Sequence, residues 1–136
     1  EVAAATLERR VIMGGKMIEK PAAQINIGRA TALLSSARAA IEKACDEIDQ
    51  RIESQTVPSE ADYLRQMSII SMSVEQLAEA MQLLERTQGG NGLREGGNFE
   101  RRYRDFRAMP LHINVHQDRV THQLGRFVLD IERDPF

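Results

Sequence analysis

The chain has 136 residues, 42% hydrophobic and 28% charged, with 18 basic and 20 acidic side chains and a formal net charge of -2. That length fits a single domain, 1–136, of ordinary globular composition. The charge balance lacks the basic excess of a nucleic-acid surface, and no uninterrupted apolar run is long enough to span a membrane. Aromatic residues make up only 4%, with no Trp, whereas Ala, Leu, Ile and Met are plentiful, a mix that packs helix on helix. Residues 3–13 read as a short helix ended near Gly14-Gly15, and Lys16 to Lys20 as a connection. Pro21 suits the first turn of the next helix, where its missing N–H costs nothing. Beyond it Ile27, Ala30, Leu34, Ala37, Ile41, Ala44, Ile48 and Ile52 recur at spacings of three and four, predicting a helix to about residue 52. Ser54 to Ser59 is a loop, and Ser59 with Asp62 has capping-pair spacing. The second long helix carries Leu64, Met67, Ile70, Val74, Leu77, Met81 and Leu84, and stops at Thr87-Gln88-Gly89-Gly90. Its methionines read as core filler.

Gly89 to Asn98 holds five of the nine glycines. Asn98 reads as the cap of a helix to about Met109, with Phe99, Tyr103 and Phe106 on one face. Pro110 interrupts it, and Asn114 with Gln117 has capping-box spacing for a last helix bearing Val120, Leu124, Phe127, Val128 and Ile131. The fold class is therefore all-α, an up-and-down antiparallel helical bundle. Two helices of such length present more apolar face than one small bundle covers, which predicts burial against other copies or other domains. The start at Glu1, without a methionine and without a signal-type apolar core, reads as a segment of a longer chain. The single Cys45 rules out an internal disulfide, fits a cytoplasmic location, and lies beside the apolar stripe as a small packing residue.

Three histidines, His112, His116 and His122, invite a test for metal binding. His112 and His116 straddle the cap expected at Asn114, and His116 and His122 are six apart, on different faces of one helix. Neither a Cys nor a carboxylate completes a ligand set, so no metal is expected. Gly89-Gly90-Asn91-Gly92 is not a phosphate loop of the strand-preceded kind, because no strand leads into it and no Gly-Lys-Ser/Thr follows. The charged run Glu100 to Asp105 reads as a solvated helix face.

Taken together, Gly89-Gly90-Asn91-Gly92 and Phe99-Glu100-Arg101-Arg102-Tyr103-Arg104-Asp105 resemble the C-terminal helical domain of the acyl-CoA dehydrogenase superfamily. In that family a Gly-Gly-x-Gly turn precedes Glu-Arg-x-x-Arg-Asp at this offset. Pro21-Ala22-Ala23-Gln24 leading to Ala37-Arg38 resembles the first long helix of the domain. Many of these dehydrogenases carry their catalytic base eight residues beyond the Arg-Asp aspartate, and Ile113 stands there in this chain. Isoleucine cannot abstract a proton. Glu8 superficially resembles the carboxylate that some dehydrogenases carry on an earlier helix, but it stands too close to Pro21 and Gln24 for that register.

Seven residues past Asp105 stands His112, a spacing similar to that of the flavin-dependent monooxygenases sharing this fold, two-component enzymes that hydroxylate aromatic or amine substrates. The resemblance implies a reduced flavin cofactor (FMN or FAD) supplied by a separate flavin reductase, with O₂ as oxidant. It assigns His112 to the active site, where an imidazole can donate a hydrogen bond in a dry pocket. Gln88, Gly89 and Gly90 would approach the phosphate-bearing tail of a neighbouring subunit's flavin, glycine permitting close backbone approach. Arg104 and Asp105 are expected to pair and fix the last helices, and Arg38 to do likewise, unless they contact ligand. The implied partners are the chain's own N-terminal helical and β domains and further copies in a homotetramer, with no nucleic acid or membrane. The alternatives are an acyl-CoA dehydrogenase-type flavoprotein with its base elsewhere, and a non-enzymatic helical oligomerisation module.

Overall fold

A computed structural model describes residues 2–90, 94 and 96–132. Its elements in chain order are α1 (Val2–Arg9), a two-stranded hairpin of β1 (Val11–Ile12) and β2 (Gly15–Lys16), a 3₁₀ turn (Met17–Glu19), α2 (Pro21–Glu53), α3 (Glu60–Gln88), α4 (Asn98–Arg107), a second 3₁₀ turn (Met109–Leu111) and α5 (Gln117–Val128). The expected all-α fold is observed, and the hairpin is a small departure from it. At 33 and 29 residues, α2 and α3 are about 50 and 43 Å long at 1.5 Å per residue.

The α2–α3 pair organises the rest. Cross-links run Arg51 to Asp62, Glu47 to Arg65, Ser36 to Gln76 and Arg29 to Glu79, one number rising as the other falls, so the helices are antiparallel. The buried face of α2 is Ala23, Ala30, Ala37 and Ala44, one alanine every seven residues. Seven residues are close to two helical turns, so the four methyls form one seam that drifts only slightly round the helix. α3 buries Leu64, Ser71, Ser73, Val74, Ala80, Leu83 and Thr87, and of these Ala80 and Leu83 cluster with Ala30 of α2. Short side chains on both sides let the axes approach toward the lower end of the usual 8–10 Å range. The seam hydroxyls bond within their own helix, Ser73 to the Ile69 carbonyl and Thr87 to the Leu84 carbonyl, so they enter the core satisfied.

The other elements dock on α3. From α1, Leu7 is buried. From α5, Val120 and Gln123 are buried, and the Ser71 hydroxyl donates to the Val115 carbonyl (3.1 Å) just before that helix. The predicted loop and capping pair at the α2–α3 connection are present. The Asp62 N–H donates to the Ser59 hydroxyl (3.2 Å), and the Ser59 N–H donates to the Asp62 carboxylate (3.1 Å).

Several expectations are corrected. The first helix ends at Arg9 rather than near Gly14-Gly15. β-Branched Val11 and Ile12 favour extended backbone, and Met13 (φ 49) and Gly14 (φ 75) form a two-residue turn with both φ positive. Asn98 begins α4 but does not cap it; Gly97 holds that position without a side-chain bond. The Asn114–Gln117 box does not form, because α5 starts after His116, and the Gln117 amide reaches the Met72 sulfur (3.3 Å) instead. Cys45 is exposed rather than packed. The described methionines are half-buried or exposed, so the deep core is alanine, serine and leucine instead. Ile48 and Ile52, at the far end of the α2 stripe, are also exposed.

The seam predicts intolerance of bulk. Ala37 has no exposed surface, so Ala37→Leu should destabilise the fold by about 1–3 kcal/mol, read as a lower urea midpoint; an unchanged midpoint would contradict the close packing. The loop end predicts acid sensitivity. Hydrogen bonds from the Ser59 hydroxyl and N–H hold the Asp62 carboxyl below its ordinary 3.8, and the Arg65 guanidinium holds Glu47 below its ordinary 4.5. Depressed carboxyl pKa values contribute stability that is present above the ordinary values and lost as pH falls through the folded ones. Melting temperature should therefore fall as acid is added below about pH 4, and Asp62→Asn should flatten that slope.

Candidate functional site

Two regions carry the residues singled out by the sequence: the C-terminal end of α3, and the segment linking α4 to α5. At the first, α3 runs to Gln88 and Gly89 takes φ 59, ψ -168, a left-handed backbone that favours glycine. Gln88 is buried at 4% exposure, and its side-chain Nε2 has no acceptor among the described residues. Its carbonyl accepts from Arg10 Nη1 at 2.6 Å. A Cβ placed on Gly89 would stand 2.6 Å from Arg10 Nη1 and 3.0 Å from Cζ, the far end of a flexible side chain, so it is the positive φ that calls for glycine here. Gly90 is exposed, with open space where its Cβ would be. The remaining half of the glycine turn, Asn91-Gly92, lies outside the described residues.

At the second, α4 carries Phe99 stacked on Tyr103, ring centroids 5.8 Å apart, as the one-face pattern predicts. The Tyr103 hydroxyl donates to Glu85 Oε2 on α3 at 2.7 Å, and this bond to a carboxylate raises the phenol above its ordinary pKa of 10. Tyr103–Glu85 is thus a tie between α4 and α3. Arg104 and Asp105 do not supply one: the Arg104 guanidinium lies 3.3 Å from Glu100 and 3.9 Å from Asp105, and Arg101 is 4.0 Å from Asp105, all within α4. Arg38 likewise pairs within its own helix, with Glu42 at 2.7 Å. The expectation that these three residues fix helices to one another is corrected; each supports the helix it stands on. Glu8 is exposed on α1.

After the Met109–Leu111 turn, His112 is exposed, and its Nδ1 accepts from the Asn114 N–H at 3.3 Å. In a neutral imidazole that bond leaves the proton on Nε2, which is then the donor. Neighbouring Ile113 is 61% exposed. His116 and His122 are also exposed, and no group of three potential metal ligands exists among the described residues.

The structure does not bring His112 and Gly89 together within one chain. Pro110 sits beside Ala78 and Gln82, and Val115 beside Ser71, so His112 lies level with the middle of α3. Gly89 is at its end, roughly 15–20 Å further along the axis at 1.5 Å per residue. A separate apolar groove of about 530 Å³ runs between α2, α3 and α4, walled by Ile27, Leu34, Met81, Leu84 and Phe99 with Arg102 at its edge; neither His112 nor the glycine turn lines it.

Arg10 and the Tyr103–Glu85 pair were not identified from the sequence. Arg10 is one of two adjacent arginines with no distinguishing neighbour, and its partner is 78 residues away. Glu85 and Tyr103 are 18 apart across a loop, beyond the reach of any helical spacing.

Comparison with known proteins now bears on these residues. The family described as "Acyl-CoA dehydrogenase, C-terminal domain" matches residues 1–117. A "Pigment production hydroxylase" of Rhodococcus sp. (strain ATCC 21145) is 26% identical over 113 residues, which is 82% of this chain and 28% of that protein. The chain therefore spans little more than a quarter of the relative it matches. No described helix is long and apolar enough to cross a membrane. The matched range holds the α2–α3 pair, the glycine turn, α4 and His112 together, and the chain belongs to the acyl-CoA dehydrogenase C-terminal domain family.

Proposed function

We propose that this chain is the C-terminal domain of a flavin-dependent monooxygenase that uses reduced flavin and O₂ to hydroxylate an aromatic or amine substrate. The observation that carries this reading is the pair His112-Ile113. The position of the usual dehydrogenase base holds an isoleucine, while the residue before it is an exposed histidine whose Nδ1 accepts from the Asn114 N–H, which leaves Nε2 as the donor in the neutral form. The hydroxylase relative adds support from its name.

The residues at the end of α3 suit the phosphate-bearing tail of a flavin. The buried Gln88 Nε2 has no acceptor among the described residues, and Gly90 is exposed with open space at its Cβ position. The flavin, FMN or FAD, supplies the redox chemistry with O₂ when bound. This chain's part is to orient and to donate. His112 Nε2–H hydrogen-bonds an oxygen of the reacting system, in a pocket whose other walls belong to N-terminal helical and β domains of the same protein. Because His112 and Gly89–Gly90 are far apart along α3, one chain serves two flavins, its histidine at one and its glycine turn at that of a neighbouring subunit. That arrangement calls for a homo-oligomer, a tetramer in this reading; a separate reductase delivering reduced flavin in the cytoplasm belongs to the same proposal. The exposed apolar side chains Leu111, Ile113, Val128 and Leu129 give such an assembly surface to bury.

The complete protein should consume O₂ only when reduced flavin is supplied, and should form hydroxylated product only when substrate is present as well. His112→Ala should lower product formed per O₂ by roughly 10-fold or more, with the balance released as hydrogen peroxide, since lost general acid–base or hydrogen-bond catalysis costs on this scale or above. Anaerobic bleaching of the flavin by an acyl-CoA would instead establish the dehydrogenase alternative. Sedimentation should give an oligomer, and a stable monomer that still turns over would remove the shared-site arrangement.

A further inference from the structure

A serine or threonine hydroxyl inside a helix commonly bonds back to that helix's own carbonyls, and Ser73 and Thr87 do so, at Ile69 and Leu84. Ser71 does not. It has no exposed surface, stands near the middle of α3, and donates to the Val115 carbonyl of another element at 3.1 Å. The bond joins residues 44 positions apart, so it references a connection on the surface directly to the core.

That connection is a tight turn. The Val115 N–H donates to the His112 carbonyl (3.0 Å), which closes residues 112–115, and the His112 N–H donates back to the Met109 carbonyl (3.1 Å). Within the turn the Asn114 N–H donates to His112 Nδ1 (3.3 Å), and from α5 the Arg119 guanidinium donates to the Ile113 carbonyl (3.2 Å). Which ring nitrogen carries the proton in neutral His112 is thus set by a backbone N–H two residues on, and that N–H meets Nδ1 only while the turn keeps its shape. His112, Ile113 and Asn114 are exposed and Val115 is half-buried, so packing of the turn's own side chains holds it less than the bond from Ser71 does.

We infer that Ser71 is a positioning residue for His112: its buried hydroxyl anchors the 112–115 turn to α3 and so holds the imidazole in place with Nε2 as the donor. The inference rests on the role given to His112 above and goes beyond it by naming the core residue on which that role depends.

The test is the nitrogen NMR of the histidine rings in the complete protein, labelled with ¹⁵N-histidine and held at about pH 9, where imidazoles are neutral. The His112 pair of resonances is the one missing from His112→Ala. In the wild type it should show one nitrogen fully protonated, Nε2, and the other bare. Ser71→Ala should move the two resonances toward each other, as the proton becomes shared between both sites. Ser73→Ala removes a buried hydroxyl from the same helix without touching the turn, and should leave the pair where it is. If Ser71→Ala does not fold, Ser71→Cys keeps a side chain of similar size with a weaker donor and should show part of the shift. A folded Ser71 variant with wild-type resonances, or an equal shift in Ser73→Ala, overturns the assignment of Ser71. The reading of His112 fails separately, if His112→Ala leaves product per O₂ unchanged.

Discussion

Two helices can approach only as closely as the side chains between them allow, and in this domain an alanine seam sets that distance. Ala23, Ala30, Ala37 and Ala44 give the fully buried face of α2 nothing larger than a methyl, and Ala80 and Leu83 of α3 pack against Ala30. The exposed ion pairs that flank the seam, such as Arg29–Glu79, are each worth between nothing and about 1 kcal/mol, so they select register and orientation rather than carry stability. Buried methyls contribute about 0.8 kcal/mol each, against roughly 1.5–3 kcal/mol for a leucine. The pair is therefore held by close packing over great length, not by bulky core residues, and α3 becomes the straight support on which α1, α4 and α5 are arranged.

Much of this was legible in the sequence because it rests on local chemistry. The ends of the two long helices follow from Pro21 and from the Ser59–Asp62 pair, whose bonds close over three residues. The all-α class follows from periodicity. What escaped depends on contacts distant in sequence or on competition between caps. Apolar spacing marked Ile48 and Ile52 as equals of Ala37 and Ala44, yet only the alanines are buried, since a stripe shows which face turns inward but not which of its side chains the partner covers. Asn114 has capping chemistry, but its backbone is engaged with His112 and the helix begins two residues later than the box requires. The hairpin was hidden because Gly14-Gly15 reads equally well as a helix stop or as part of a tight turn.

For the candidate site, the sequence supplied the residues of both regions but not their separation. Gln88 to Gly90 and His112 are 22 or more positions apart along the chain, and α4 folds back along α3, so they come to lie at different levels of one helix. Within one copy of this domain the two groups of residues thus stand apart. Arg10 ties the end of α3 to the residue after α1, and Tyr103–Glu85 ties α4 to α3.

The exposure of the His112-Ile113 segment has a consequence for how such a domain diversifies. Ile113 lies 61% open on a short connection after a 3₁₀ turn, and among the described residues neither side chain helps to fill the alanine core. A substitution there alters what faces the rest of the protein at almost no cost in folding, since surface changes are usually within about 0.5 kcal/mol of neutral. Packing and surface are in this way under separate constraints: the seam tolerates few changes, while the His112-Ile113 segment is free of the demands of the core. A scaffold so divided can change the surface it presents there by a step or two and keep its fold.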